Sequence, residues 1–169
     1  MIDKLNFVLT FVSPLGSGLI AGFFLAFSIV VMKSLAQQPP PQGIAAMQSI
    51  NIVVLNPVFF TAFFGTAAAC LVSTVSTFFR WQRPGSAYLL VGSLLYLIGT
   101  ILVMILFNVP RNNALAAVDP TSAEGANVWT TYLRSWTWNH VGTIAAASLE
   151  AVSSSTSRSG SPSLRRSAG

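Results

Sequence analysis

The uncharged run from Tyr88 to Val109 constrains the fold most strongly, because it ends abruptly in Pro110-Arg111-Asn112-Asn113. At about 1.5 Å of rise per residue its 22 residues make a helix ~33 Å long, enough to cross the ~30 Å hydrocarbon core of a bilayer. Pro110 has no backbone donor and disfavours helical geometry at Val109, so the helix is expected to stop near Asn108, where lipid gives way to water. An apolar rod would thereby deliver amides and a guanidinium to one membrane boundary.

The rest of the chain is equally apolar. Hydrophobic residues make up 53% of its 169 positions and charged residues 8%, with a mean hydropathy of +0.66. Soluble domains carry roughly 25% charge, and a fold of this size has too little interior to hide the difference. A first span is expected in the 28 uncharged residues from Leu5 to Met32, a run longer than the core of a signal peptide. Within it Gly18 and Gly22 have the small-residue spacing that lets helix backbones approach, inside one chain or between two copies. Gln37 to Pro41 holds three consecutive prolines and reads as an extended connection. A short interfacial helix is predicted over 43–55, with Met47, Ile50 and Val54 on one side. Asn56-Pro57 then has the pattern of an N-cap and first helical residue, opening a second span from Pro57 to Phe79 with small residues Gly65, Ala69 and Ser73 on one face. Arg80 to Gly85 is a basic turn with an interfacial aromatic, Trp81.

Beyond Asn113, Thr121 and Glu124 have capping-box spacing, which predicts a helix starting there and running through Trp129 and Tyr132. Trp129, Leu133, Trp136 and His140 recur at helical spacing and share a face. A fourth apolar run ends at Leu149. From Trp136 it reaches only ~21 Å, short of a bilayer core. After Glu150 the chain turns Ser-, Arg- and Gly-rich, the composition of a disordered tail. The expected architecture is therefore an all-α integral membrane bundle, with three full-length transmembrane helices and a short fourth run, as one domain over 1–149 and a tail over 150–169. If all four runs cross, Lys4, Arg80, Arg83, Arg158, Arg165 and Arg166 face one side and Lys33, Arg111 and Arg134 the other. That excess places both termini in the cytoplasm, with the plasma (inner) membrane as the expected location.

The basic residues sit near the ends of apolar runs and form no stripe that could track phosphates, so the net charge of +5 does not point to nucleic acid. The four carboxylates, Asp3, Asp119, Glu124 and Glu150, all lie outside the spans, and the single cysteine, Cys70, has no partner for an intrachain disulfide. Glycine-rich nucleotide loops and His/Cys ligand clusters are absent, so neither a metal nor an organic cofactor is expected. The segment Trp136-Thr137-Trp138-Asn139-His140 supports two readings. In one, His140 is a general base, Asn108 and Asn139 donate to a developing oxyanion, and Trp136 and Trp138 form a platform for a flat apolar substrate. In the other, the same residues form an interfacial aromatic belt. Arg111 likewise could bind an anionic substrate group or snorkel to the interface. Asn51, Asn56, Asn112 and Asn113 suit capping and turn roles, and Tyr88 and Tyr96 suit packing.

Four stretches resemble the DUF1772 membrane proteins, a family similar to the fungal anthrone oxygenases. They are Gly18 to Ser28, Ile44 to Asn51 with Leu55-Asn56-Pro57, Phe107 to Leu115, and Trp136 to His140. The resemblance covers roughly 16–144 and implies a four-helix membrane protein. It also implies cofactor-independent oxidation of an anthrone to an anthraquinone by O₂. The chain departs from the family pattern at Gly142, where an arginine is usual, and after Ala147, where a full apolar fourth helix would continue. The alternative to an enzyme is a non-enzymatic membrane protein, an accessory subunit or a small carrier. The chain lacks the internal repeat and midplane charges that would favour a carrier.

Overall fold

The computed structural model describes residues 2–79, 81–82, 85–136 and 149, and all regular structure among them is helical. Helix α1 is one rod made of Ile2–Ala26, a wider π-helical stretch Phe27–Val31, and Met32–Ala36. Helix α2 is Pro40–Val53 and α3 is Pro57–Phe78. Helix α4 runs from Ser86 to Ala116, and α5 occupies 123–136. Three segments are long and apolar enough to cross a membrane: Phe11–Ala36, Pro57–Phe78 and Ser86–Ala116. Their outward faces carry large apolar side chains such as Leu15, Val58, Phe78 and Ile98, which a bilayer would cover. The chain is thus an integral membrane protein, with three full-length spans among its described residues.

Helix α3 packs against α1 on one side and α4 on the other. Ile20, Ala21 and Phe24 of α1, Phe63 and Cys70 of α3, and Tyr96 of α4 form a core between the spans, where the Tyr96 hydroxyl donates to Phe63 O at 3.0 Å. The small-residue contact between α1 and α3 is not made by Gly18 and Gly22. Both are exposed, and a Cβ on either would meet nothing within 4 Å. The close approach is at Gly16, whose missing side chain leaves room for Thr66. On α3 the inward face is Thr66, Ala69, Cys70, Ser73 and Thr77, whereas Gly65 opens outward.

A second core caps one end of the spans. Met32 and Leu35 from the end of α1, Ile44 and Met47 of α2, Leu115 of α4, and Trp129, Tyr132 and Trp136 of α5 are all buried in it. Two local expectations are corrected here. The proline run does not keep the connection extended throughout: Pro39 is the N-cap, with extended backbone, and α2 begins at Pro40. Prolines fit the first turn of a helix because those positions need no intrahelical donor. Nor does α4 stop at Pro110. The π-helical stretches Leu95–Leu102 and Met104–Asn108 give way to a new α-helical segment, Val109–Ala116, and Pro110 falls in its first turn. The Arg111 guanidinium adds a donor to Phe107 O, so this end of the rod stays hydrogen-bonded past the proline.

Both helix starts flagged by capping residues form, one of them a residue late. Asn56 Oδ1 accepts from the N–H groups of Val58 and Phe59, both at 3.0 Å. At α5 the cap is Ser122 rather than Thr121, its Oγ accepting from Gly125 N at 2.9 Å. Thr121 instead donates through its backbone and hydroxyl to Asp119 Oδ1, and these bonds hold the Asp119 carboxyl below its ordinary range. The turn before α5 takes the residue that the capping-box pattern assigned to the helix.

Candidate functional site

Where the inter-span core meets the cap, the helices leave a cavity of about 500 Å³. Much of its apolar wall is aromatic. Phe23, Phe24 and Phe27 enter from α1, Phe59, Phe60, Phe63 and Phe64 from α3, and Trp136 from α5. Phe59 and Phe63 stack with their centroids 5.5 Å apart, and Phe27 lies 5.1 Å from Trp136. The rest of the wall is aliphatic side chains such as Met47, Leu55 and Met104, with a set of amides: Gln48 and Asn51 of α2, and Asn108, Asn112 and Asn113 of α4. No described residue lining the cavity is ionisable. The walls are largely apolar with a few amides, the make-up in which apolar surface excludes water and placed polar groups fix orientation.

The amides are not equivalent. Gln48 donates through Nε2 to Leu115 O at 2.9 Å and Val118 O at 3.1 Å, which fastens α2 to the end of α4. Asn112 Oδ1 accepts from the Tyr132 hydroxyl at 2.8 Å, which fastens α5 to α4. Asn108 is 2% exposed, yet neither its Nδ2 nor its Oδ1 has a hydrogen-bond partner among the described residues. The Nδ2 of Asn51 is also buried and unpartnered. A buried amide without partners is destabilising by roughly 1–3 kcal/mol, so such groups in a native cavity point to a guest that completes them. Burial pushes the Tyr132 phenol far up, against a smaller downward effect of the neighbouring Asn51 and Trp136, so the phenol remains a donor across the physiological range.

Of the residues singled out from the sequence, Asn108 and Trp136 meet in this cavity. Trp138, Asn139 and His140 lie outside the described residues. Arg111 is not on the wall: its guanidinium bonds Phe107 O and sits 5.9 Å from the centre of the Phe107 ring, a self-contained arrangement at the end of the span. Asn51 and Asn112 were expected to cap or turn, and instead stand inside helices facing the cavity. Their signal was in the sequence, because asparagine is disfavoured in helix interiors and invites a reason when it stands there.

The family model described as anthrone oxygenase matches residues 58–152, more than half of the chain. The chain belongs to the anthrone oxygenase family. The matched region holds α3, α4 and α5, and with them most of the cavity's aromatic wall together with Asn108 and Trp136. Two elements on the cavity, α1 and α2, precede it. Neither the curated proteins nor the solved structures include a match to this anthrone oxygenase family chain.

Proposed function

We propose that the chain is a cofactor-independent oxygenase that converts an anthrone-type aromatic to a quinone with O₂. The observation carrying this reading is Asn108, a fully buried amide with both polar atoms unpartnered on the wall of an aromatic cavity. In the reaction a base removes a proton from the methylene carbon beside the rings, and the electron pair delocalises onto the ring carbonyl oxygen. The resulting enolate transfers an electron to O₂, and carbon–oxygen bond formation gives a peroxide. Loss of water from the peroxide leaves the second carbonyl. One O₂ is consumed, one of its oxygens is retained and the other leaves as water.

His140 is the base in this proposal, four residues beyond Trp136 and so at the spacing of the same helical face. Asn108 and Asn139 donate to the oxyanion, and Trp136 and Trp138 flank the rings. Fixed neutral donors suit the step because they stabilise charge as it develops and require no rearrangement of water. Arg111, bonded to its own helix, is kept only as an anchor at the end of the span. Membrane lipid is the surrounding solvent, and in this proposal the fourth apolar run also crosses, so that the six-to-three excess of basic residues favours a cytoplasmic N-terminus, with the plasma (inner) membrane as the proposed location.

The test is O₂ uptake by purified membranes supplied with emodin anthrone, against membranes lacking the protein. Uptake matched one-to-one by quinone, and reduced about 100-fold or more in His140→Ala, is the expected result. Native membranes no faster than the control would overturn the reading. A second reading, an accessory subunit, is favoured by the open face at Gly18 and Gly22, which suits a partner helix or a second copy of this chain. A stoichiometric partner co-purifying in mild detergent, released by Gly18→Leu, would support it.

A further inference from the structure

Asn51 is a polar group on the cavity wall that the proposed reaction leaves unassigned. It stands on α2 and lines the same cavity as Asn108 on α4, and in both the Nδ2 atom is buried with no partner in full hydrogen-bond geometry. Two features make its position specific. Helix α2 is fixed against α4 by the two Gln48 bonds to Leu115 O and Val118 O, one turn before Asn51. The Tyr132 phenol gives its proton to Asn112 Oδ1, and the Asn51 amide acts on the phenol oxygen only weakly, with no contact from its Nδ2 that meets full hydrogen-bond geometry. A carboxamide held by its neighbours yet left with an open donor is what an anionic oxygen needs, since the cavity supplies no described cation to balance it.

We infer that Asn51 is a second amide donor to the oxygen on which negative charge develops, so that an aromatic oxyanion is bound between α2 and α4. Tyr132 and Asn112 are positioning residues that hold the α2, α4 and α5 ends around it. The inference rests on the oxygenase reading for its substrate class, but its core, stabilisation of an aromatic oxyanion by two neutral amides, is tested by binding alone. It also explains why α2, which precedes the region matched by the family, belongs to the site.

The probe is a hydroxyanthraquinone, emodin, whose phenol changes colour on ionisation, bound to the full chain purified in detergent. Its titration is read by absorbance while bound, and its affinity by quenching of tryptophan fluorescence. Native protein is expected to lower the bound phenol's titration by about one pH unit or more relative to the dye in empty micelles. Asn51→Ala and Asn108→Ala should each give back part of that shift, and Asn51→Asp, which keeps the shape, should move the titration above the micelle value. Tyr132→Phe should leave the dye bound with a smaller shift. A bound dye whose titration is the same in native, Asn51→Ala and Asn51→Asp overturns the role of Asn51 while leaving the oxygenase reading standing. Failure of native protein to bind the dye overturns both, because the cavity then does not take a flat aromatic. Helical content and monodispersity identical to native in Asn51→Asp exclude misfolding as the cause.

Discussion

At the scale of single residues, function is legible where a side chain is worse for stability than its replacement. Asn108 is buried with two unsatisfied polar atoms. Asn108→Leu is therefore expected to leave thermal stability unchanged or raise it by about 1–3 kcal/mol, while anthrone-dependent O₂ uptake is lost. Melting in detergent beside the uptake assay checks both halves, and a destabilised variant would show that the amide is structural. Tyr132 has the opposite character, since its hydroxyl is used by Asn112. Tyr132→Phe should cost about 1 kcal/mol, measured by the same melts. Because the folded phenol titrates well above its unfolded value of about 10, its contribution is complete below that pH and is lost as pH rises beyond it. Native protein should lose stability above about pH 10 more steeply than Tyr132→Phe, and a phenolate difference spectrum between the two should be flat near pH 11.

At the scale of elements, the cap depends on close contact rather than on intrinsic helix preference. A Cβ at Gly43 would stand 2.9 Å from the buried Trp129 ring and 3.1 Å from Leu35 O, so α2 can lie against both α5 and the end of α1 only without a side chain there. Gly43→Ala should destabilise the cap by about 1–3 kcal/mol in spite of alanine's better helix propensity, and tryptophan fluorescence should shift to the red as Trp129 is displaced. An unchanged melt and spectrum would mean that α2 is loosely held. The elements also mark where sequence reasoning held and where it failed. Asn56-Pro57 starts α3 as expected, because a cap and its helix are local neighbours and the bonds involved span two or three residues. Pro110 misled, because its effect depends on what the preceding turns are doing. After an α-helix it would have ended the rod, whereas after the π-helical Met104–Asn108 it stands in a first turn.

At the scale of the whole molecule, three spans and a cap impose sidedness. The connection between α1 and α2 and the turn between α3 and α4 lie at opposite ends of the spans. In a Cys70→Ser background, an impermeant thiol reagent added to intact cells should label Gln38→Cys and spare Gln82→Cys if the N-terminus is cytoplasmic. The reverse pattern would invert the proposed topology. The spans themselves were legible because their cause is composition over a length fixed by the bilayer, and 22 uncharged residues allow few other outcomes. The partners of each face were not. Gly18 and Gly22 carry the familiar small-residue spacing, yet Gly16 makes the contact, because the rotation of α1 is set by Ile20, Phe24 and the residues they meet on α3. The aromatic and amide residues were all visible in the chain, as was the expectation that Asn108 and Trp136 would serve one site. That Asn51 joins them could not be read from spacing. It depends on α2 folding back over the ends of three other helices, and contacts between residues so far apart in sequence follow from packing that no local pattern encodes.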